Sequence, residues 1–347
     1  MKKMRLSITH ILVVAVVVFS CEGIGIALPI HEAVQAIADN LVSEQRLDGG
    51  WPDSDGFTGS IVAGLVNAYQ VTGNVSYKSA AELGGGYIVD SAEGNFYGDE
   101  AYALARLTDI TGDGTYAQSA RDFYDKLDTY AYISGFKQTD TSNAVFYVAQ
   151  HTVAAAKVGA ADAPVWREAL IQYLSRVVDD SAYYPVMSLG VATWALAQSG
   201  PMDDTRIDPF GLIDGDFWVD VTLGDLPEML LSYQVDSGPY AGSFYYRFDR
   251  EGSGYTEDTV FGLLGLISAT DYAGRSFGQE ILAGRLAMAS SIDWTGIASE
   301  HIWAGGASYY TYGGEVLQAI PEPVSILLFA TAGCLLARLQ SRRKSLC

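Results

Sequence analysis

The chain has 347 residues, 49% hydrophobic and 18% charged, with 37 Gly and 10 Pro. That composition excludes a disordered or collagen-like chain and supplies apolar material for a large core. The net charge of −20, from 21 basic against 41 acidic residues, argues against nucleic acid as a partner, because affinity for phosphates rests on Lys and Arg.

Residues 1–27 read as a secretory signal peptide. Lys2, Lys3 and Arg5 form a positive start, Ile11 to Phe19 an apolar stretch too short to span a bilayer, and Gly25 and Ala27 a small-residue cleavage site before Leu28. Signal peptidase is the expected partner. The alternative is a lipoprotein signal, Val18-Phe19-Ser20-Cys21, with Cys21 lipidated.

The body, 28–320, predicts helices of two kinds in alternation. The first segment, near 31–45, places Val34, Ile37 and Leu41 on one face and Glu32, Asp39 and Glu44 elsewhere. Similar half-polar segments lie near 75–90, 115–131, 163–179, 222–235 and 276–292. Between them stand segments apolar almost all round, such as 61–66, 100–110, 143–157, 186–198, 260–266 and 312–320. A helix apolar on every side must be enclosed, so the alternation predicts six outer and six inner helices. The expected architecture is all-α, an (α/α)6 toroid or barrel of six helical hairpins in one domain. An open solenoid of helix pairs is the alternative. Turns with matching chemistry, Val71-Thr72-Gly73-Asn74 and Ile110-Thr111-Gly112-Asp113, punctuate the repeat. The longest interruption, Pro201 to about Val221, carries Asp203, Asp204, Asp208, Asp214 and Asp216 with Phe210 and Trp218. It reads as a surface insertion of the length that often has a function.

Gln45-Arg46-Leu47-Asp48-Gly49-Gly50-Trp51 resembles the QW motif of squalene–hopene cyclases and of the wider terpene cyclase and prenyltransferase toroids. Gln234-Val235-Asp236-Ser237-Gly238-Pro239-Tyr240 is similar, with Tyr in place of Trp, and Leu41 and Leu230 each precede the Gln by four residues. The resemblance implies the toroid fold and a structural role. Gly lets the chain leave the outer helix, the Gln amide binds exposed backbone groups, and the aromatic packs the hairpin on its neighbour. Terpene chemistry does not follow. Asp53-Ser54-Asp55-Gly56 lacks the last acid of the proton-donating Asp-x-Asp-Asp cluster. Asp179-Asp180 and Asp203-Asp204 each lack the further Asp of a magnesium–diphosphate motif.

Other chemical signals are weak. Asp109-x-Thr111-x-Asp113-Gly114 looks like the start of a calcium loop, but its twelfth position is Ala120 rather than Glu, so a structural turn is expected. His151 stands alone in an inner helix and reads as a satisfied core residue. Cys21, Cys334 and Cys347 all lie outside the body, which holds 14 basic and 39 acidic residues. No disulfide, zinc, haem or iron–sulfur centre is expected there, and no metal site; weak calcium binding by the acidic surface is allowed.

The remaining pattern is positional. Carboxylates and aromatics gather at the starts of the inner segments, and in a toroid those starts share one mouth. Sugar rings pair apolar C–H faces with hydroxyl rims, so such a mouth predicts glycan binding. The stacking candidates are Trp51, Tyr240, Tyr245, Tyr246 and Tyr255. The candidate catalytic carboxylates are Glu257, Asp258, Asp99 and Glu100; Phe57, Tyr97, Tyr184, Tyr312 and Glu315 gather at the same starts without a catalytic assignment. Capping and helix-dipole complementarity also place acids at helix starts, but they do not call for aromatics. The expected function is binding of extracellular polysaccharide by an envelope or matrix protein. The alternative is a polysaccharide lyase or glycoside hydrolase at the same mouth.

The C-terminus, 321–347, opens with Pro321-Glu322-Pro323, continues through an apolar stretch from Val324 to Ala337, and ends on Arg338, Arg342, Arg343 and Lys344. This order closely resembles the PEP-CTERM sorting signal. The resemblance implies a transmembrane sorting helix with a cytoplasmic basic tail. It also implies an exosortase as partner, processing near Pro321, Glu322 and Pro323, and transient anchoring in the inner membrane before delivery to the envelope or outside.

Overall fold

The computed structural model describes residues 30–52, 57–136, 141–178, 184–211, 217–270, 276–291 and 309–320. The expected signal peptide and sorting segment lie outside the described residues, as do Asp53 and Asp55. Among the described residues no helix is long and apolar enough to cross a membrane.

The chain is all-helical among those residues, apart from three isolated bridges. Helix α1 covers 30–44. It is followed by α2 (Thr58–Thr72), α3 (Val75–Ser91), α4 (Gly98–Thr111), α5 (Gly114–Lys126), α6 (Thr129–Gly135) and α7 (Thr141–Val158). Then come α8 (Ala163–Leu174), α9 (Pro185–Ser199), α10 (Leu226–Leu231), α11 (Thr256–Ala269), α12 (Gly278–Ser291) and α13 (Tyr309–Ala319). These fall where the alternating pattern places them, with two differences. The fifth segment breaks at Leu127, and Asp128 starts the short α6 by accepting the N–H of Ala131. Helix α10 is a six-residue remnant of the longer segment expected near 222–235.

Two burial classes separate the helices. Thirteen of the fifteen residues of α9 are buried, whereas α5 buries only Ala120, Phe123 and Tyr124. The enclosed helices pack in order, α2 on α4, α4 on α7, α7 on α9, α9 on α11 and α11 on α13, and α13 returns to α2. The less buried α3, α5, α8, α10 and α12 each pack against one or two of these. Between the enclosed helices, Tyr102, Phe146, Trp194 and Phe261 meet largely edge to face, with Tyr102 and Trp194 5.5 Å apart and Phe146 and Phe261 5.4 Å apart. Each such pair adds about 0.5–1.5 kcal/mol beyond its area burial.

Several crossings bring backbones into direct contact. A side chain at Gly64 would run into the carbonyl and Cα of Gly314, and one at Gly190 into the backbone of Phe261 and Gly262. The ends of the described chain also meet: the Asn67 side-chain amide donates to the carbonyls of Leu317 (3.4 Å) and Gln318 (3.0 Å).

The two motifs that resemble QW form congruent latches. Gln45 donates its amide to the carbonyls of Gly49 (2.8 Å) and of Ala80 on α3 (2.9 Å). Gln234 donates to Gly242 (2.9 Å) and to Glu280 on α12 (2.9 Å). Gly49 and Gly242 sit at φ +94 and +91, and a side chain at either would strike the carbonyl three residues further along the partner helix, Leu83 or Ala283. The backbone bonds match as well, Arg46 N to Gly50 O and Val235 N to Ser243 O, each 2.8 Å. This alignment corrects the sequence pairing. The second latch has four extra residues, so the counterpart of Trp51 is the fully buried Phe244 rather than Tyr240.

The Gly64–Gly314 contact generates a test. Gly64→Ala is expected to destabilise the full chain by about 1–3 kcal/mol or more in urea unfolding, because a rigid backbone blocks the new methyl. Gly86→Ala, on α3 with open space around its Cα, is expected to be neutral or to stabilise by up to about 1 kcal/mol.

Candidate functional site

Helix starts divide into two chemistries. Outer helices begin conventionally: Asn74 accepts the N–H of Ser76 for α3, and Asp113 that of Thr115 for α5. That second cap is the expected structural turn, and Asp109 is turned away to an ion pair with Lys157 at 2.8 Å. The enclosed helices differ. The N-cap residues of α2, α4, α9 and α11 are Phe57, Tyr97, Tyr184 and Tyr255. An apolar or aromatic N-cap forgoes about 0.5–2 kcal/mol relative to Ser, Thr, Asn or Asp. Phe57, Tyr97 and Tyr255 are exposed, at 37%, 48% and 40%.

Carboxylates of the enclosed helices cap the starts of α2 and α9, and Glu100 closes the start of its own α4. Asp99, the second residue of α4, accepts the N–H of Ser60, the third residue of α2, at 3.0 Å. Asp258, the third residue of α11, accepts the N–H of Met187, the third residue of α9. Glu100 accepts the N–H of Tyr97 at its own helix start at 3.0 Å. Three of the four candidate catalytic acids therefore hold helix ends.

Glu257 and Glu315 are different. Among the described residues neither makes a hydrogen bond or an ion pair. Glu315 is 2% exposed and its Oε2 has no partner; Asp258 is 1% exposed and its Oδ1 has none. Burial raises all five carboxyls. Asp99 moves to about 6 against the pull of the Ser60 N–H. Glu257 moves to about 7 by burial. Glu100 moves to about 8 by burial and then by the charge of Asp99. Asp258 and Glu315 go well above the carboxylate range, by burial first and then by the charge of Glu257; Asp99 adds to Glu315. These cross-influences place the starts of α4 and α11 and the second turn of α13 around one space.

Tyrosines surround it. Tyr246 is 5.4 Å from Tyr184 and 5.3 Å from Tyr255, ring centre to ring centre. Burial and then the nearby Tyr184 and Asp258 push the Tyr246 hydroxyl to about 12. Tyr312 is raised by burial and by Glu257 and Glu315; Tyr147 and Tyr132 are raised by burial and then by Tyr97.

The sequence candidates thus separate. Tyr246 and Tyr255 belong to the site with Glu257, Asp258, Asp99 and Glu100. Tyr245 is half-buried in an isolated bridge with Ser253, its N–H bonded to the carbonyl of Tyr233 at 3.0 Å, and Tyr240 lies in the second latch. Trp51 is fully buried, its indole N–H donating to the carbonyl of Leu41 at 2.7 Å, so it offers no stacking face. Tyr184, one of the aromatics expected at the inner helix starts, is the N-cap of α9. His151 is a core residue: it stacks on Trp166 at 4.6 Å, contacts the Tyr124 hydroxyl at 3.1 Å, and burial lowers it to about 3. Trp218 anchors the 201–221 segment, its N–H donating to the carbonyl of Val177 at 2.9 Å. Among the described residues no three His, Cys, Asp or Glu side chains stand close enough together to hold a metal ion.

Stability should follow the buried acids. Their folded pKa values are raised, so the folded state binds protons more tightly than the unfolded chain, and stability falls as pH rises between about 4 and 8. The melting temperature of the full chain is expected to be higher at pH 5 than at pH 8, and Glu100→Gln is expected to flatten that slope.

No family model matches the chain, and a search of curated proteins returns no match.

Proposed function

We propose that the chain is an exported (α/α)6 toroid whose mouth binds neutral polysaccharide at the cell envelope or in the extracellular matrix. The observation that carries this reading is the N-cap chemistry. Four enclosed helices begin with aromatics where outer helices use Asn or Asp. That choice costs helix stability, and packing does not repay it for side chains that remain 37–48% exposed. Exposed aromatic faces beside hydrogen-bonding carboxyls suit the C–H faces and hydroxyls of sugars. Those mouth carboxyls that ionise, such as Asp99, disfavour uronates and other anionic polymers. No resident cofactor is part of this reading, and weak calcium binding by the acidic outer surface is compatible with it.

Export rests on the terminal segments. Signal peptidase removes residues 1–27, and an exosortase processes the chain at Pro321-Glu322-Pro323 after transient anchoring by the apolar segment that follows. Mass spectrometry of the mature envelope protein is then expected to find a C-terminus near Ala319 to Glu322; a mature pool that retains Cys347 would refute this.

Binding is tested by affinity electrophoresis of the full chain in gels containing a soluble neutral glucan, mannan or galactan, with alginate as the anionic control. Retardation by at least one neutral polymer and none by alginate is expected. The double substitution Tyr97→Ala, Tyr255→Ala should weaken binding by about tenfold or more, equivalent to ~1.4 kcal/mol, with little change in melting temperature. Trp51→Ala, by contrast, should cost about 3–5 kcal/mol of stability through its buried packing.

A further inference from the structure

We propose that the mouth also cleaves the glycan it holds, with Glu257 and Glu315 as the acid–base pair of a glycoside hydrolase. This inference rests on the glycan-binding reading above and adds chemistry to it. Hydrogen-bond occupancy separates the acids. Asp99 and Asp258 are bonded to the starts of neighbouring helices, and Glu100 to its own. Those bonds engage three of the five acids, with Asp258 bonded through one oxygen and its Oδ1 left without a partner. They leave two glutamates on α11 and α13, helices that pack against each other, with no hydrogen bond or ion pair among the described residues.

A carboxyl that is 2% exposed, as Glu315 is, with an oxygen lacking any partner, is an expensive thing to keep in a core. Structure alone would favour Gln or Leu there. A glycosidic oxygen or a sugar hydroxyl entering the mouth would supply the missing partner.

The environments of the two acids differ in the sense that hydrolysis needs. Glu315 is enclosed, and burial holds its carboxyl well above the usual carboxylate range; Glu257 is only partly buried and rises to about 7. Paired carboxyls held in different environments take the acid and base roles. In the proposed step the Glu315 carboxylic acid gives its proton to the glycosidic oxygen. The bond from that oxygen to the anomeric carbon breaks, its electron pair remaining on the oxygen. A water oxygen forms the new bond to the anomeric carbon, and its proton passes to the Glu257 carboxylate. The products are two shorter sugars, with one water consumed, and proton exchange with solvent resets the pair. Tyr312, whose hydroxyl feels both glutamates, is placed to orient the sugar between them.

The experiment incubates the full chain with the same neutral glucan, mannan and galactan and measures new reducing ends, alongside the electrophoretic binding assay. The expected result is release of reducing ends by the native chain and a fall of about 10²–10⁴-fold in Glu257→Gln and Glu315→Gln, the usual range for losing a general acid or base, with binding changed less than about threefold. If Glu315→Gln does not fold, Glu315→Asp keeps the acid while withdrawing it by one methylene, and a comparable loss of rate with retained binding is expected. Binding without any release would overturn this inference and leave the binding reading standing. Release that survives both Gln substitutions would overturn the assignment of the pair. Neither binding nor release would overturn the binding reading and this inference with it.

Discussion

The enclosed ring depends on backbones that touch. Where Gly64 meets Gly314, and Gly190 meets Phe261 and Gly262, no Cβ separates the helices. The same holds at Gly59, whose missing side chain would collide with the backbone of Asp99 and Glu100. That last contact explains the capping. With α4 pressed against the first turn of α2, the Asp99 carboxylate comes within 3.0 Å of the Ser60 N–H. Asp258 reaches Met187 across the crossing that Gly190 and Gly262 make close. Once a neighbour caps the helix, its own N-cap position is released from that duty. Phe57 and Tyr184 occupy the positions so released, while α4 is closed by its own Glu100. The aromatic caps of α2 and α9 thus follow from the glycine crossings, transmitted through two aspartates.

Protein stability works against this arrangement at several points. Buried carboxyls, aromatic caps and an unpartnered Glu315 oxygen are each unfavourable, and they fall in one place. The enclosed helices meet that expense with apolar burial: α9 and α11 are buried along nearly their whole length. Concentrated strain against a well-packed background is the usual mark of a site selected for something other than folding.

Much of the helical plan was legible in the sequence because the signal is one of amount. A helix apolar on every side, such as 260–266, and one with a single apolar stripe, such as 31–45, differ over many residues at once. Single positions were less legible. The four-residue insertion in the second latch hid the equivalence of Phe244 and Trp51, since the Gly that defines the latch is fixed by its positive φ and its contact with α12, not by its distance from Gln234. The cross-helix caps were hidden because Ser60 and Asp99 stand 39 residues apart. Local motif reading assigns an acid at a helix start to its own helix, and only packing shows that Asp99 serves another. Glu257 and Asp258 are adjacent and identical in sequence context, yet one holds a helix end and the other holds nothing.

The return of α13 to α2 joins residues about 250 positions apart, Asn67 to Leu317 and Gln318. The ring therefore cannot close until almost the last body residue has been made. Before that moment the flanks of α2 and α11 that α13 will cover remain open, with apolar surface and unfilled glycine crossings facing solvent. Contacts this distant are slow to form, because loop-closure entropy is spent before they reward it. The nascent chain thus passes through a long interval as an open arc of helical hairpins. The eleven-residue helix Tyr309–Ala319 acts as the keystone, so truncation there leaves not a slightly smaller ring but an arc with two raw ends, exposed to chaperones and proteases.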